Sequence, residues 1–450
     1  MDFRGKKVLV FGTGISGIGA GELLERAGAS VILYDGNENL DKDNLRKRFA
    51  AESSVEILLG SLPLEVMDQL ELVVLSPGVP TDLPIVNQLR EREIPIWGEV
   101  ELAYRFARGD VLAITGTNGK TTTTALLGEI MKAYSDSVFV VGNIGTPYTG
   151  AAMEMKESSV TVAEMSSFQL ETIDTFHPKV SAVLNITPDH LNRHHTMEAY
   201  IQAKEKITKN QTEEDVCVLN YEDEVLRAFG EKLGAQVLYF SSRRKLERGI
   251  YLEDGKIIYA DGEPEELCAV GELALLGTHN YENVMAASAM AAAYGVPLES
   301  IRKTIKSFGG VAHRIEFVAE KDGVAYYNDS KGTNPDAAIK AVEAMNRPTV
   351  LIGGGYDKDS SYDAWIDSFG EKVRYLVLVG ATKEKIAETA RRKGFDNVIL
   401  TETFEEAVME SVKLAREGDA VLLSPACASW GMFKNFEERG DKFKELVNHL

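Results

Sequence analysis

Val111-Leu112-Ala113-Ile114-Thr115 runs directly into Gly116-Thr117-Asn118-Gly119-Lys120-Thr121-Thr122. An apolar strand stops at a glycine turn, and a threonine-rich helix begins at a lysine. In such a loop the backbone N–H groups can wrap phosphate oxygens, Lys120 can neutralise the β- and γ-phosphates, and the Thr121 hydroxyl can ligate Mg²⁺. Ile114 stands where the general G-x-x-x-x-G-K-[ST] pattern has its first glycine, so the loop is a shortened form. A purely structural turn could also end in Lys-Thr, but a strand before it and a helix after it favour an ATP site.

Upstream lies a second glycine turn. The strand pattern Lys7–Phe11 leads into Gly12-Thr13-Gly14-Ile15-Ser16-Gly17, followed by a helix pattern from about Ile18 to Ala27 and a strand at Val31–Tyr34. Asp35 then stands where a ribose-binding acid would. Taken alone, this G-x-G-x-x-G favours a nicotinamide or flavin cofactor over a simple packing turn. A later strand, Leu72–Ser76, ends at Ser76-Pro77-Gly78.

Downstream, strand patterns at Val138–Val141, Val160–Glu164 and Ala182–Asn185 belong with the phosphate loop, and Asp254-Gly255 between Ile250–Leu252 and Lys256–Tyr259 predicts a hairpin. A third run of strands at Val324–Asn328, Thr349–Ile352, Leu376–Val379 and Ala420–Leu423 alternates with amphipathic helices such as Ala381–Lys393. Apolar strands separated by helices predict parallel sheets. The expectation is an α/β protein of three domains, at 1–98, 99–310 and 311–450. The first is Rossmann-like, the second a P-loop ATPase-type parallel sheet, the third again Rossmann-like.

The 450 residues carry a formal net charge of −20, which argues against a nucleic-acid partner because phosphate-backbone binding needs a basic face. No apolar run approaches the ~20 residues of a membrane span. The short apolar run after Lys6-Lys7 is too brief for a signal peptide, and Cys217, Cys268 and Cys427 are too scattered for a disulfide framework or a metal site. A cytoplasmic monomer is the expectation.

The shortened loop G-T-N-G-K-T resembles that of the Mur ligases and the related folylpolyglutamate synthases. Further segments resemble the same family in order: Val141–Gly145, Ala163–Gln169, Asn185–Leu191, Gly277–Asn280 with Asn283, Ala312–Arg314, Asp329–Asn334 and Ser424–Gly440. The last two resemble its D-glutamate-adding branch. A folylpolyglutamate synthase has no need of the roughly one hundred residues ahead of the loop, and a nicotinamide oxidoreductase or a non-catalytic ATP switch leaves the later segments unexplained.

The resemblance implies ATP and two Mg²⁺ ions, no NAD, and UDP-N-acetylmuramoyl-L-alanine and D-glutamate as substrates. It implies catalytic roles for Lys120, Glu164, His190 and Lys204, with Thr121, Glu164, His190 and a CO₂-carbamylated Lys204 toward the metals. ATP would meet Gly116, Thr117, Asn118, Gly119, Lys120, Thr121, Thr122, Asn280, Asn283, Arg314 and Asp329. The UDP substrate would meet Ile15, Ser16, Asp35, Ser76, Gly78 and Asn143, which reassigns the first glycine turn from a dinucleotide to the UDP group. D-glutamate would meet Lys331, Thr333, Lys358, Ser429 and Phe436. Trp430 replaces an aliphatic residue of that pattern. His194 and His195 are expected to be plain loop residues.

Overall fold

The computed structural model describes residues 2–143, 146–356 and 360–450. Its first sheet contains β1 (Lys7–Phe11), β2 (Ser30–Asp35), β3 (Glu56–Leu59), β4 (Leu72–Leu75) and β5 (Ile96–Gly98). They run parallel in the order β3-β2-β1-β4-β5. From β1 the chain builds the sheet one way through β2 and β3, and from β4 the other way to β5, so the crevice beyond the carboxyl ends of β1 and β4 is the topological switch point where such sheets bind ligands. The helix after β1 spans Ile15–Arg26, three residues earlier than its apolar pattern, because extended Gly14 serves as its N-cap.

The second sheet holds β6 (Asp110–Thr115), β7 (Val138–Gly142), β8 (Val160–Glu164), β9 (Val180–Val183), β10 (Val216–Asn220), β11 (Gln236–Ser241), β12 (Gly249–Glu253), β13 (Lys256–Ala260) and β14 (Glu265–Ala269). Its order is β14-β13-β12-β11-β10-β9-β6-β8-β7. Strands β6 to β12 are parallel, and β12 and β13 form the expected antiparallel hairpin, with Asp254 and Gly255 at φ 50° and 71°. Central β6 and β8 are almost wholly buried, as a parallel sheet covered on both faces requires. Strand β9 ends before the predicted Ala182–Asn185 pattern does. The Asn185 side chain leaves the ladder to bond the phosphate loop instead.

The third sheet holds β15 (Glu316–Lys321), β16 (Val324–Asn328), β17 (Thr349–Gly353), β18 (Val373–Leu378), β19 (Val398–Leu400) and β20 (Ala420–Leu423). The order is β15-β16-β20-β17-β18-β19, with only β15 antiparallel to its neighbour.

By internal contacts the chain forms two compact units, Met1–Leu267 with Asn283–Thr304, and Cys268–Glu282 with Ile305–Leu450. The first two sheets share one apolar core that runs from Val8 and Val31 through Val100 and Leu102 to Ala113 and Tyr148, which is why they belong to one unit. In the second unit the third sheet has apolar cores on both faces, one around Trp365 and Leu376 and one around Val377 and Phe443. Among the described residues no helix is long and apolar enough to cross a membrane.

Candidate active site

In the first unit, Ile114 pairs with Glu164 on one side and with Ala182 on the other, so the loops that follow β6, β8 and β9 leave the sheet side by side. The β6 loop turns at Gly119, whose left-handed φ of 85° caps the helix Lys120–Tyr134. A Cβ at Gly119 would come within 2.2 Å of Asn283 Oδ1, so the loop packs tightly on the helix Thr278–Tyr294. Asn283 also accepts a 3.4 Å hydrogen bond from Thr123 Oγ1. Lys120 Nζ donates to the carbonyls of Gly116 and Thr117 at 2.9 and 3.0 Å. Asn118 N–H donates to Asn185 Oδ1, and Thr117 Oγ1 donates to Thr187 O and lies 3.0 Å from the Tyr200 hydroxyl. Thr121 is half-buried and Thr122 buried in the first helical turn.

Lys204 stands on the helix Met197–Glu205, and its ammonium, 2% exposed, donates to Gly116 O at 2.8 Å. Burial pushes its pKa down to about 7, the nearby Lys120 charge adds to this, and Asp189 opposes it. Glu164 is buried at the carboxyl end of β8. Its Oε1 accepts from Asn143 Nδ2 at 2.9 Å, while Oε2 has no partner among the described residues. A buried carboxylate oxygen without a donor is the kind of group a divalent cation satisfies. Among the described residues no three His, Cys, Asp or Glu side chains cluster tightly enough to hold a metal alone. Hydroxyl, phosphate or modified-lysine oxygens would have to complete the shell. Mg²⁺ suits such a site, because it characteristically pairs one or two carboxylates with substrate phosphates.

His190 has a left-handed backbone (φ 51°), is half-exposed and lies 3.4 Å from the Asp189 carboxylate. Its ring contacts Phe168 at 5.0 Å between centroids. His194 is not the loop residue the sequence suggested. It is buried, stacks on Phe168, lies 2.9 Å from Ser167 Oγ and 3.3 Å from Glu171. Burial lowers its pKa despite Glu171, which favours a neutral ring. His195 is exposed, 3.3 Å from Asp82.

A cavity of about 720 Å³ opens at the β1/β4 switch point, and Ile15, Ser16, Asp35, Ser76, Gly78 and Asn143 all line it. A Cβ at Gly17 would fall 1.8 Å from Gly12 O, so the third glycine of the motif is required for helix–strand packing. Asp35 accepts from Thr13 Oγ1 and Asn37 N–H, both at 3.0 Å. Pro147 and Gln169 of the second sheet's loops close the far wall. Ile144 and Gly145 of the Val141–Gly145 segment lie outside the described residues.

The second unit gathers its own set. Asp329 is buried, accepts from Ser424 Oγ at 2.7 Å and Ile315 N–H at 3.2 Å, and is pushed up to about 7 by burial. Arg314 is exposed beside buried His313. Lys331 Nζ stands 5.6 Å from the Phe436 ring centre, Thr333 is half-buried, and Ser429 is buried. Buried Arg439, missed in the sequence, donates to Ser330 Oγ, Ser330 O and Cys427 O, tying together the two loops that carry these residues. Trp430 is exposed and meets Tyr356 edge to face. Asn280 bonds Leu276 O at 2.8 Å and belongs to this unit, whereas Asn283 belongs to the first. Lys358 lies outside the described residues.

Three protein families match in succession: the Mur ligase MurD-like N-terminal domain over residues 6–98, the Mur ligase middle domain over 114–291, and the Mur ligase, glutamate ligase domain over 313–427. Proteins named UDP-N-acetylmuramoylalanine–D-glutamate ligase from Lachnoclostridium phytofermentans and Lachnospira eligens are 60% and 54% identical. Each match spans 100% of this chain, with 99% and 100% of those proteins. The ligase of the same name from Clostridioides difficile is 47% identical over 100% of both chains. Among solved structures, the UDP-N-acetylmuramate–alanine ligase of Thermotoga maritima matches with a TM-score of 0.58 at 20% identity over 99% of each chain. MurF from Acinetobacter baumannii matches at 0.59 and 18%, over 94% of this chain and 91% of that one. At such identities the two structures establish a common fold.

Proposed function

The chain belongs to the Mur ligase family, the ATP-dependent ligases of peptidoglycan precursor synthesis, and we propose that its own reaction joins D-glutamate to UDP-N-acetylmuramoyl-L-alanine. The observation that carries this reading furthest is the position of Asn143. It lines the cavity at the first sheet's switch point and donates to Glu164, next to the phosphate loop. A UDP group held in that cavity would therefore have its far end directed at the phosphates of ATP.

A carboxylate alone has a poor leaving group, which is why ATP is needed. The alanyl carboxylate oxygen attacks the γ-phosphorus and ADP leaves, giving an acyl phosphate. The D-glutamate amine then attacks the carbonyl carbon, the C–O bond to phosphate breaks, and the amine gives up a proton. The chain's part is to align anions that repel one another. Lys120 and the loop N–H groups offset phosphate charge, and Ile15, Ser16, Asp35, Ser76 and Gly78 hold the UDP moiety. Lys331, Thr333, Lys358, Ser429 and Phe436 receive D-glutamate, with Asn280, Asn283, Arg314 and Asp329 on the nucleotide. Mg²⁺, when bound, supplies positive charge at the phosphate oxygens. Two ions are proposed, with Glu164, His190, Thr121 and carbamylated Lys204 to hold them. Lys204 suits carbamylation because it is enclosed beside Lys120, where an anion is better tolerated than a second ammonium. Domain limits at 98/99 and 310/311, and a monomeric enzyme in the cytoplasm, belong to the same proposal.

ADP release, measured with the muramoyl substrate and D-glutamate omitted in turn, tests the reaction. Release that ignores the muramoyl substrate, or that L-glutamate supports as well, would sink it. Turnover of Lys204→Ala restored by acetate supports the carbamate, and an unimpaired Lys204→Ala enzyme removes it.

A further inference from the structure

Glu99 opens the helix Glu99–Phe106, directly after β5, and its side chain is 2% exposed within the apolar core common to the first two sheets. A carboxylate there is costly unless its acceptor atoms are needed. Oε1 is in use. Thr149 N–H and Oγ1 donate to Oε1 at 3.5 and 3.4 Å, and the Tyr148 N–H and the Gln169 side chain lie close enough to help hold its pKa down. Gln169 meanwhile accepts, through Oε1, from Ser166 N–H and Oγ at 2.9 and 3.0 Å. With its oxygen engaged there, only the amide nitrogen of Gln169 can face Glu99. Gln169 and Pro147 line the substrate cavity, and Ser166 is two residues beyond Glu164.

We propose that Glu99 is a positioning residue for the muramoyl substrate: its carboxylate fixes the Gln169 amide and the turn at Pro147–Thr149, and so sets the shape of the cavity's far wall. The inference rests on reading that cavity as the UDP-substrate site. Glutamine at 99 would keep the volume but replace one acceptor by an NH₂ group facing other donors. Protonation of Glu99 would likewise withdraw an acceptor. Its pKa is raised by burial, against the bonds from Thr149, Gln169 and Tyr148, to about 7. The groups facing it are Thr149, Gln169 and Tyr148. Tyr148 alone among these can titrate, and burial pushes it far above neutrality.

The test is equilibrium binding of UDP-N-acetylmuramoyl-L-alanine, without ATP, to the full chain and to Glu99→Gln, together with KM and kcat from pH 6 to 8. Glu99→Gln is expected to weaken binding about tenfold at pH 8, the size of one lost hydrogen bond to a charged acceptor. The KM for ATP should stay within twofold. Wild-type affinity should fall as the pH drops from 8 to 6, and Glu99→Gln should not follow it. If the wild type does not bind the muramoyl compound, the reading of the cavity fails. If it binds and Glu99→Gln binds equally well, or keeps the wild-type pH dependence, the role of Glu99 fails. Should Glu99→Gln not fold, Thr149→Val removes one of the bonded donors. Unchanged affinity in that variant also overturns the proposal.

Discussion

Replacing Lys204 by methionine should make the protein more stable and nearly inactive. Burial holds the ammonium at about 7 against an ordinary 10.5. At about 1.4 kcal/mol per unit, a charged Lys204 costs the fold up to ~5 kcal/mol at pH 6. Methionine fills a similar volume without charge, but it takes from Gly116 O one of its two lysine donors, a loss of about 1 kcal/mol. Relaxation around the buried charge takes a further share, leaving a net gain of about 2 kcal/mol, or a few degrees in Tm. The sign with pH follows from proton binding. Between pH 7 and 10.5 the unfolded chain holds the Lys204 proton more tightly than the folded one, so wild-type stability climbs with pH and the variant's advantage shrinks. Calorimetric melts of both proteins in CO₂-free buffer from pH 6 to 9, with turnover measured alongside, read this directly. A variant that melts below the wild type at pH 6, or an advantage that stays constant to pH 9, would refute the reasoning.

Lys120→Ala should lower ATP turnover by ~10²–10³ in a protein that stays folded, and near-normal turnover would remove the phosphate-loop assignment. Lys358→Ala should raise the KM for D-glutamate far more than that for ATP, since its proposed partner is the side-chain carboxylate; an equal rise would move it to the phosphate side. Glu101→Ala should cost about 3–5 kcal/mol by chemical denaturation. It would strip the buried acceptor from Asp174, Thr175 and Phe176 N–H and from Arg105. Burial raises the Glu101 pKa, but these bonds outweigh it and hold the group below its ordinary value. Its contribution is therefore present above about pH 4.5 and is lost on acidification below that, and a denaturation midpoint unchanged at pH 7 would contradict it.

The strands and phosphate turns were legible because they rest on local chemistry: glycines that permit a turn, apolar runs that must be covered, and Asp-Gly at a hairpin. The polar interior was not. Nothing in the local pattern singles out Glu99 or Glu101, yet both are buried by contacts with residues about fifty to seventy-five positions away. His194 followed a Pro-Asp-His loop and looked exposed. Its burial comes from Phe168 and Tyr200, which no local pattern connects to it. Arg439 likewise sits in a charged helix pattern, and only the fold shows that its guanidinium faces backbone carbonyls. Long-range pairing of buried polar groups leaves no periodicity to read.

The chain's path between its two compact units limits how the protein can be divided. It enters the second unit at Cys268, returns to the first at Asn283 and leaves again at Ile305, so all three passages fall between Leu267 and Ile305. A polypeptide ending at Leu267 would lack Asn283, the residue that packs on Gly119 and bonds Thr123. A polypeptide beginning at Ile305 would lack Leu276, which belongs to the core around Trp365. No single cut yields two whole pieces. Split-protein reconstitution would need fragments that overlap across 268–304.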